Sequence, residues 1–340
     1  RSYEKNPPGI SGHTRGGNTK NPEINQYTDL KAGCYILISK GSTMVEEPKG
    51  IFSPLELMKA TGISVLKLIS YLPFPVLYGL SGLFAFILQH VVRYRKDVIV
   101  NNLRHAFPDY TDKQIASTVN KFYRHFGDIT VETIKAYSLS HDEFKKRITF
   151  RGVDLMNSYA EKGTSVILLA MHYNNWELNS FAQVFLKHQF LVVYNPVRGN
   201  PRFEKYLLGI RERWGMQTIA VHKSSRAAME FNLRGLPVVL TLVADQRPAV
   251  ITRFWTTFLN QEACFYQGPE KIARKSNLPV FFHLTRKTSR GHYEVSFIPL
   301  FEKPAEVTEQ EILLRYVRTM EKHIREEPAC YLWSHKRWKQ

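Results

Sequence analysis

From residue 164 onward, short apolar runs alternate with segments of helical spacing, and this alternation restricts the fold more than any other feature of the chain. The runs occupy residues 165–171, 190–194, 237–244 and 279–284, with an alternating run at 292–298. Helical patterns fall at 201–214, 224–234, 267–277 and 308–326. Uninterrupted apolar strands are buried on both faces, and parallel neighbours need a crossover, usually a helix. The pattern predicts an α/β fold with a mainly parallel sheet and flanking helices. Ligands of such sheets sit beyond the carboxyl ends of the strands, so the residues just after each run are the candidate chemistry.

Two strand ends carry suitable groups. The first apolar run leads into Met171-His172-Tyr173-Asn174-Asn175-Trp176-Glu177. On one continuous helix, five residues would leave His172 and Glu177 about 140° apart. They meet only if His172 lies in the strand-to-helix turn and Glu177 in the first helical turn. A carboxylate there would fix one imidazole nitrogen and make the other a base. The same residues also suit a structural histidine and a solvated glutamate. The second strand end is Val243-Ala244-Asp245-Gln246-Arg247, where Asp245 fits a helix cap, a surface ion pair or a shared cleft. Arg198, Arg202, Arg211 and Arg213 lie between these strand ends as potential phosphate ligands or plain helix-face charges.

The chain contains no G-x-S-x-G elbow, no G-x-x-x-x-G-K-[ST] loop, no G-x-G-x-x-G fingerprint and no H-E-x-x-H pair. A histidine base without a protein nucleophile is what remains, so the substrate would bring its own nucleophile, most simply a hydroxyl. Cys34, Cys264 and Cys330 are too few and too scattered for a disulfide framework or a cysteine zinc site, and no metal is expected.

Residues 68–92 run 25 positions without Asp, Glu, Lys or Arg. Pro73 and Pro75 interrupt the run and leave 76–92 at the short limit for a bilayer span of about 20 residues. A buried core hairpin and a membrane-inserted segment both fit. Arg93, Arg95 and Lys96 follow at once, which by the positive-inside rule would put the downstream domain in the cytoplasm. Residues 97–150 have helical spacing, broken at Pro108 and restarted by a capping box at Thr111 and Gln114. Residues 1–50 hold seven Gly and four Pro, little apolar periodicity and no signal-peptide pattern, and read as a flexible extension without function. The domain reading is 1–50 extension, 51–96 membrane anchor with a basic flank, and 97–340 catalytic domain. Lys and Arg number 47 against 30 Asp and Glu, a net charge of +17. Nucleic acid, an anionic membrane and an acidic or phosphorylated ligand all suit that excess, but no nucleic-acid module accompanies it.

Five segments, taken together, resemble the late (secondary-chain) lipid A acyltransferases, within the membrane acyltransferases that carry an H-x4-D/E motif. They are Asn101-Asn102-Leu103-Arg104-His105-Ala106-Phe107-Pro108, the His172 to Glu177 motif, Ile210-Arg211-Glu212-Arg213-Trp214-Gly215, Ala244-Asp245-Gln246, and the closing stretch from Tyr331 to Lys339. They fall in family order over about residues 55–340. The resemblance implies a glycerolipid acyltransferase-like α/β domain behind one membrane helix, on the cytoplasmic face of the bacterial inner membrane. It implies transfer of a fatty acyl chain from a thioester to a hydroxyl of a lipid A precursor, without a cofactor. Acidic acyl carrier protein or acyl-CoA would be the donor, and the acceptor an anionic glycolipid among membrane lipids. Carried over, His172 would be the general base and Glu177 its orienting carboxylate, with Arg211, Asp245 and Gln246 on the substrate side. Asn195 stands where the family usually has Arg or Lys, in a segment that is one residue longer, which points to Arg198 for that contact. Acylation of another glycolipid or a lysophospholipid is the neighbouring alternative, and a non-catalytic membrane scaffold the distant one.

Overall fold

Val166–Ala170 is buried at every position because a strand in the middle of a sheet has apolar layers on both sides. The computed structural model describes residues 54–197, 199–223, 230, 235–248 and 252–338. The extension 1–50, Arg198 and nearly all of the helix expected at 224–234 lie outside the described residues. Residues 52–340 make one compact unit.

Among the described residues, nine strands form a seven-stranded sheet and a separate hairpin. In chain order they are β1 (Ile148–Arg151), β2 (Val166–Ala170), β3 (Gln189–Tyr194), β4 (Gln217–Ala220), β5 (Val238–Val243), β6 (Trp255–Phe258), β7 (Gln261–Cys264), β8 (Val280–Ser289) and β9 (His292–Phe301). The large sheet has the order β1-β9-β8-β2-β5-β3-β4, and β6 pairs with β7. Every neighbouring pair in the large sheet is parallel except the β8–β9 hairpin. The mainly parallel α/β sheet read from the sequence is the observed fold. Three short elements were not legible in it: β1, β4 and the β6–β7 hairpin. The helical lead-in stops at Arg147 rather than at 150, because Ile148 pairs with Tyr293 as the start of β1.

Alternate residues of β2 face opposite layers. Ile167 and Leu169 pack with Tyr316 and Met320 of the helix Glu311–Glu326, whereas Val166 and Leu168 pack with Phe181 and Tyr206. Each such aliphatic side chain contributes roughly 1.5–3 kcal/mol on full burial. The register of β2 on β5 carries the most consequence for function. Leu169 lies opposite Leu242 and Ala170 opposite Val243, so the residues that follow both strands leave the sheet at one place.

The uncharged run 68–92 is divided between two helices, α1 (Pro54–Ser70) and α2 (Phe74–Phe86). Pro73 caps α2, which continues through a π-turn at Ile87–Val91. Residues Phe74–Val91 make one helix of 18 residues, long and apolar enough to cross a membrane, with 22% of it buried. Leu77, Ser81 and Ala85, spaced four apart, form its buried stripe. That stripe lies on α4 (Asp112–Ala136), the long helix that follows α3 (Lys96–Ala106) and starts at the Thr111–Gln114 capping box. Val76, Leu80, Leu83, Phe84, Phe86 and Ile87 stay exposed. One face of the segment is packed on the domain, and the other is bare apolar surface.

Gly127 permits the α2–α4 contact. A Cβ there would meet the Ser81 carbonyl oxygen at 2.8 Å and its Oγ at 3.0 Å. Gly127→Ala should therefore destabilise the protein by about 1–3 kcal/mol, as overpacking does. Thermal unfolding in detergent would register the loss. Gly79→Ala, on the open face of α2 with nothing within 4 Å, is the matched control and should be neutral or better.

Candidate active site

The shared register brings His172 and Asp245 together. The Asp245 Oδ1 lies 2.8 Å from His172 Nδ1, and its Oδ2 accepts the His172 backbone N–H at 3.1 Å. A buried carboxylate with 1% side-chain exposure can only accept these bonds while ionised, so Nδ1 carries the proton and Nε2 the lone pair. The imidazole itself is 22% exposed. Burial alone would push its pKa down, but the charge and hydrogen bond of Asp245 outweigh burial and hold it above the usual value of 6.5. Burial would raise Asp245, and the His172 charge and hydrogen bonds hold it below the ordinary aspartate range.

The turn that holds His172 is fixed from several sides. Asn174 adopts the left-handed conformation (φ 53°), which asparagine tolerates better than most residues. Its side-chain amide donates to the Thr285 carbonyl at 2.8 Å, and that of Asn175 donates to Glu132 Oε2 at 2.7 Å. The Leu332 N–H donates to the His172 carbonyl at 3.1 Å, and Tyr173 bridges Tyr331 in antiparallel fashion. The Trp176 ring meets the imidazole edge-on at 5.3 Å between centroids.

Glu177, expected to orient His172, bonds Arg211 instead, and the hydrogen bond on Nδ1 goes to Asp245. The segment after the turn is a 3-10 helix, Trp176–Val184, and Glu177 faces Arg211 from it. Arg211 Nε donates to Oε2 at 2.8 Å and Nη2 to Oε1 at 2.6 Å, while Trp176 Nε1 adds a bond at 3.2 Å. Burial would raise the Glu177 carboxyl; the Arg211 charge and hydrogen bonds more than offset this and hold it low. Arg211 is thus paired through Nε and Nη2 with a buried carboxylate. Gln246 does reach the site, its amide nitrogen 3.4 Å from Nδ1 and 3.5 Å from Nε2 of His172.

A histidine oriented by aspartate at the mouth of a parallel sheet serves many reactions, and the whole chain narrows the choice. Residues 51–340 match the family model of the bacterial lipid A biosynthesis acyltransferases. This chain belongs to that family. It is similar to the lipid A biosynthesis lauroyltransferase of Escherichia coli K12, with 23% identity over 82% of this chain and 90% of the relative. Similarity to the lipid A biosynthesis palmitoleoyltransferase of the same organism is also 23%, over 82% and 90%. A lipid A biosynthesis acyltransferase of Haemophilus influenzae Rd shares 23% over 82% and 89%. The solved 1-acyl-sn-glycerophosphate acyltransferase of Thermotoga maritima is a distant structural likeness: 13% identity, 83% of this chain, all of its own, TM-score 0.32.

As a lipid A acyltransferase family member the chain is an acyltransferase, and the two outer motifs of the family resemblance acquire a physical role. Asn102 of the first donates through Nδ2 to the carbonyls of Trp333 and His335, at 2.9 and 3.1 Å. It ties the helix Lys96–Ala106 to the closing segment, which in turn braces His172 through Leu332. The Tyr316 hydroxyl donates to the Ala170 carbonyl at 2.6 Å and supports the end of β2. Sequence reading passed over Tyr316, Asn175 and Glu132 as site supports; each lies far along the chain or carries no motif of its own.

Because Glu177 and Arg211 are each mostly buried, removing one strands the other. Arg211→Met should destabilise by about 1.5–3 kcal/mol, the worth of hydrogen bonds to a charged group. The double change Arg211→Met with Glu177→Gln should be milder than Arg211→Met alone, since it leaves no unpaired charge. Melting temperatures of the three proteins test this directly.

Proposed function

We propose that the chain moves a fatty acyl group from a thioester donor to a hydroxyl of a lipid A precursor, with His172 as the general base. The observation that carries the reading is the 2.8 Å bond between His172 Nδ1 and Asp245 Oδ1, which leaves Nε2 as the basic atom at the cleft. Nε2 takes the acceptor's hydroxyl proton as its oxygen attacks the thioester carbonyl carbon. Collapse of the tetrahedral intermediate breaks the carbon–sulfur bond, and the imidazolium returns the proton to the leaving thiolate. Asp245 stabilises the imidazolium while it exists. The Gln246 amide nitrogen, 3.5 Å from Nε2, would donate to the carbonyl oxygen as it gathers charge. Glu177, clamped by Arg211, keeps Trp176 against the ring and adds a second negative charge nearby.

The exposed apolar face of α2 supports a place on the bacterial inner membrane, and the basic flank Arg93, Arg95 and Lys96 supports a domain on its cytoplasmic side. A net charge of +17 suits an acidic acyl carrier protein as donor and an anionic glycolipid as acceptor. Mass spectrometry of lipid A from cells with and without the gene tests the substrate. Loss of one acyl chain is expected on deletion; an unchanged acyl count would move the acceptor to another glycolipid or a lysophospholipid.

A further inference from the structure

Acyl transfer at His172 leaves unused a cavity of about 890 Å³ between α2, α4 and the β8–β9 turn. A small apolar gap walled by Trp176, Tyr331 and Leu332 shares His125 and Cys330 with the larger cavity, and His172 lines neither. Four basic side chains, Lys121, Arg124, Lys287 and Arg290, face two carboxylates, Asp128 and Glu327, across its walls. Arg290 and Lys287 both lean on Asp128, at 2.6 and 3.6 Å, so one carboxylate serves two cations. Lys121 and Arg124 sit three residues apart on one face of α4, and neither has an ion-pair partner among the described residues.

His125 adds an independent sign of a ligand. Its side chain lines the cavity with 6% exposure, and neither Nδ1 nor Nε2 has a hydrogen-bond partner. Leaving such a group unsatisfied costs about 1–3 kcal/mol, which a bound acceptor atom would recover. Burial first, then the neighbouring Lys287 charge, lowers its pKa to about 3, so it is a neutral donor at physiological pH. The facing wall is α2, whose Leu83 and Phe86 continue as exposed apolar surface.

We propose that this cavity is a second lipid site, which holds the phosphate of an anionic headgroup while its chains run along α2. Lys121 and Arg124 supply charge-assisted hydrogen bonds, and His125 supplies a buried one. A lipid rather than a free phosphate is the occupant, because α2 gives one side of the cavity an apolar wall. The site does not depend on which acceptor is acylated.

Binding to the full chain in detergent tests the proposal, with dioctanoyl phosphatidic acid as probe and dioctanoylglycerol and inorganic phosphate as comparisons. Phosphatidic acid should bind at least tenfold more tightly than either. Replacing both Lys121 and Arg124 by Ala should weaken it at least tenfold. Gly82→Phe should abolish binding, since Gly82 lines the cavity and a Cβ there meets nothing within 4 Å, so the ring has open space to enter. His172→Ala should bind as the unmodified protein does, and acyl-CoA should not displace the probe. Equal binding of dioctanoylglycerol or of inorganic phosphate would overturn the proposal. So would unchanged binding by the Lys121 and Arg124 variant, or displacement by acyl-CoA, which would assign the probe to the acyl-transfer site.

Discussion

His172→Ala should lower turnover by about 10²–10⁴-fold, the usual contribution of a positioned general base. Binding of the lipid acceptor should change little, because the proton moves only in the transition state. The measurement is steady-state acyl transfer together with a direct binding assay for the acceptor. The side chain is partly exposed and packs on Trp176, so its removal leaves the sheet intact. Near-normal turnover in a folded His172→Ala protein would make the residue structural and remove the base from the mechanism.

Asp245→Asn should be nearly as damaging, again by about 10²–10⁴-fold in turnover. The reason is the tautomer. Asp245 receives two hydrogen bonds from one residue, the ring Nδ1–H and the backbone N–H of His172. An asparagine keeps one acceptor oxygen, which the backbone N–H would claim, and turns its NH₂ toward Nδ1. The proton then moves to Nε2, which can no longer accept one from the substrate. His172→Ala combined with Asp245→Asn should be scarcely worse than His172→Ala alone, because the aspartate acts through the histidine. Additive losses would assign Asp245 a separate contact with substrate.

How much of this was legible in the sequence follows from how each element is stabilised. The four apolar strands β2, β3, β5 and β8 were readable because burial on both faces leaves a continuous hydrophobic run. β1 and β4 lie at opposite edges of the sheet, are four residues long, and carry mixed burial that no periodicity can reveal. The capping box at Thr111 was visible because its partners are three residues apart. The pairing of His172 with Asp245 was not, because 73 residues separate them and only strand order and register bring them together. Spacing within one segment favoured Glu177 as the partner of His172. Arg211, itself 34 residues away from Glu177, claims that carboxylate instead. Glu177 and Asp245 both belonged to the expected site, and strand register gives the bond on His172 Nδ1 to Asp245. Pro73 signalled the break in the apolar run, but nothing local announced that Ser81 would meet Gly127.

The pH dependence of kcat/KM tests the central claim most directly, in the unmodified protein and in Asp245→Asn. The base must be neutral to act, so the rate rises with pH through the His172 pKa. Asp245 holds that pKa above 6.5, so the acid limb should have its midpoint above that value. Removal of the aspartate charge should move the midpoint to lower pH while the plateau falls. A limb that stays in place in Asp245→Asn, or a profile flat between pH 5 and 8 in the unmodified protein, would contradict a His172–Asp245 base.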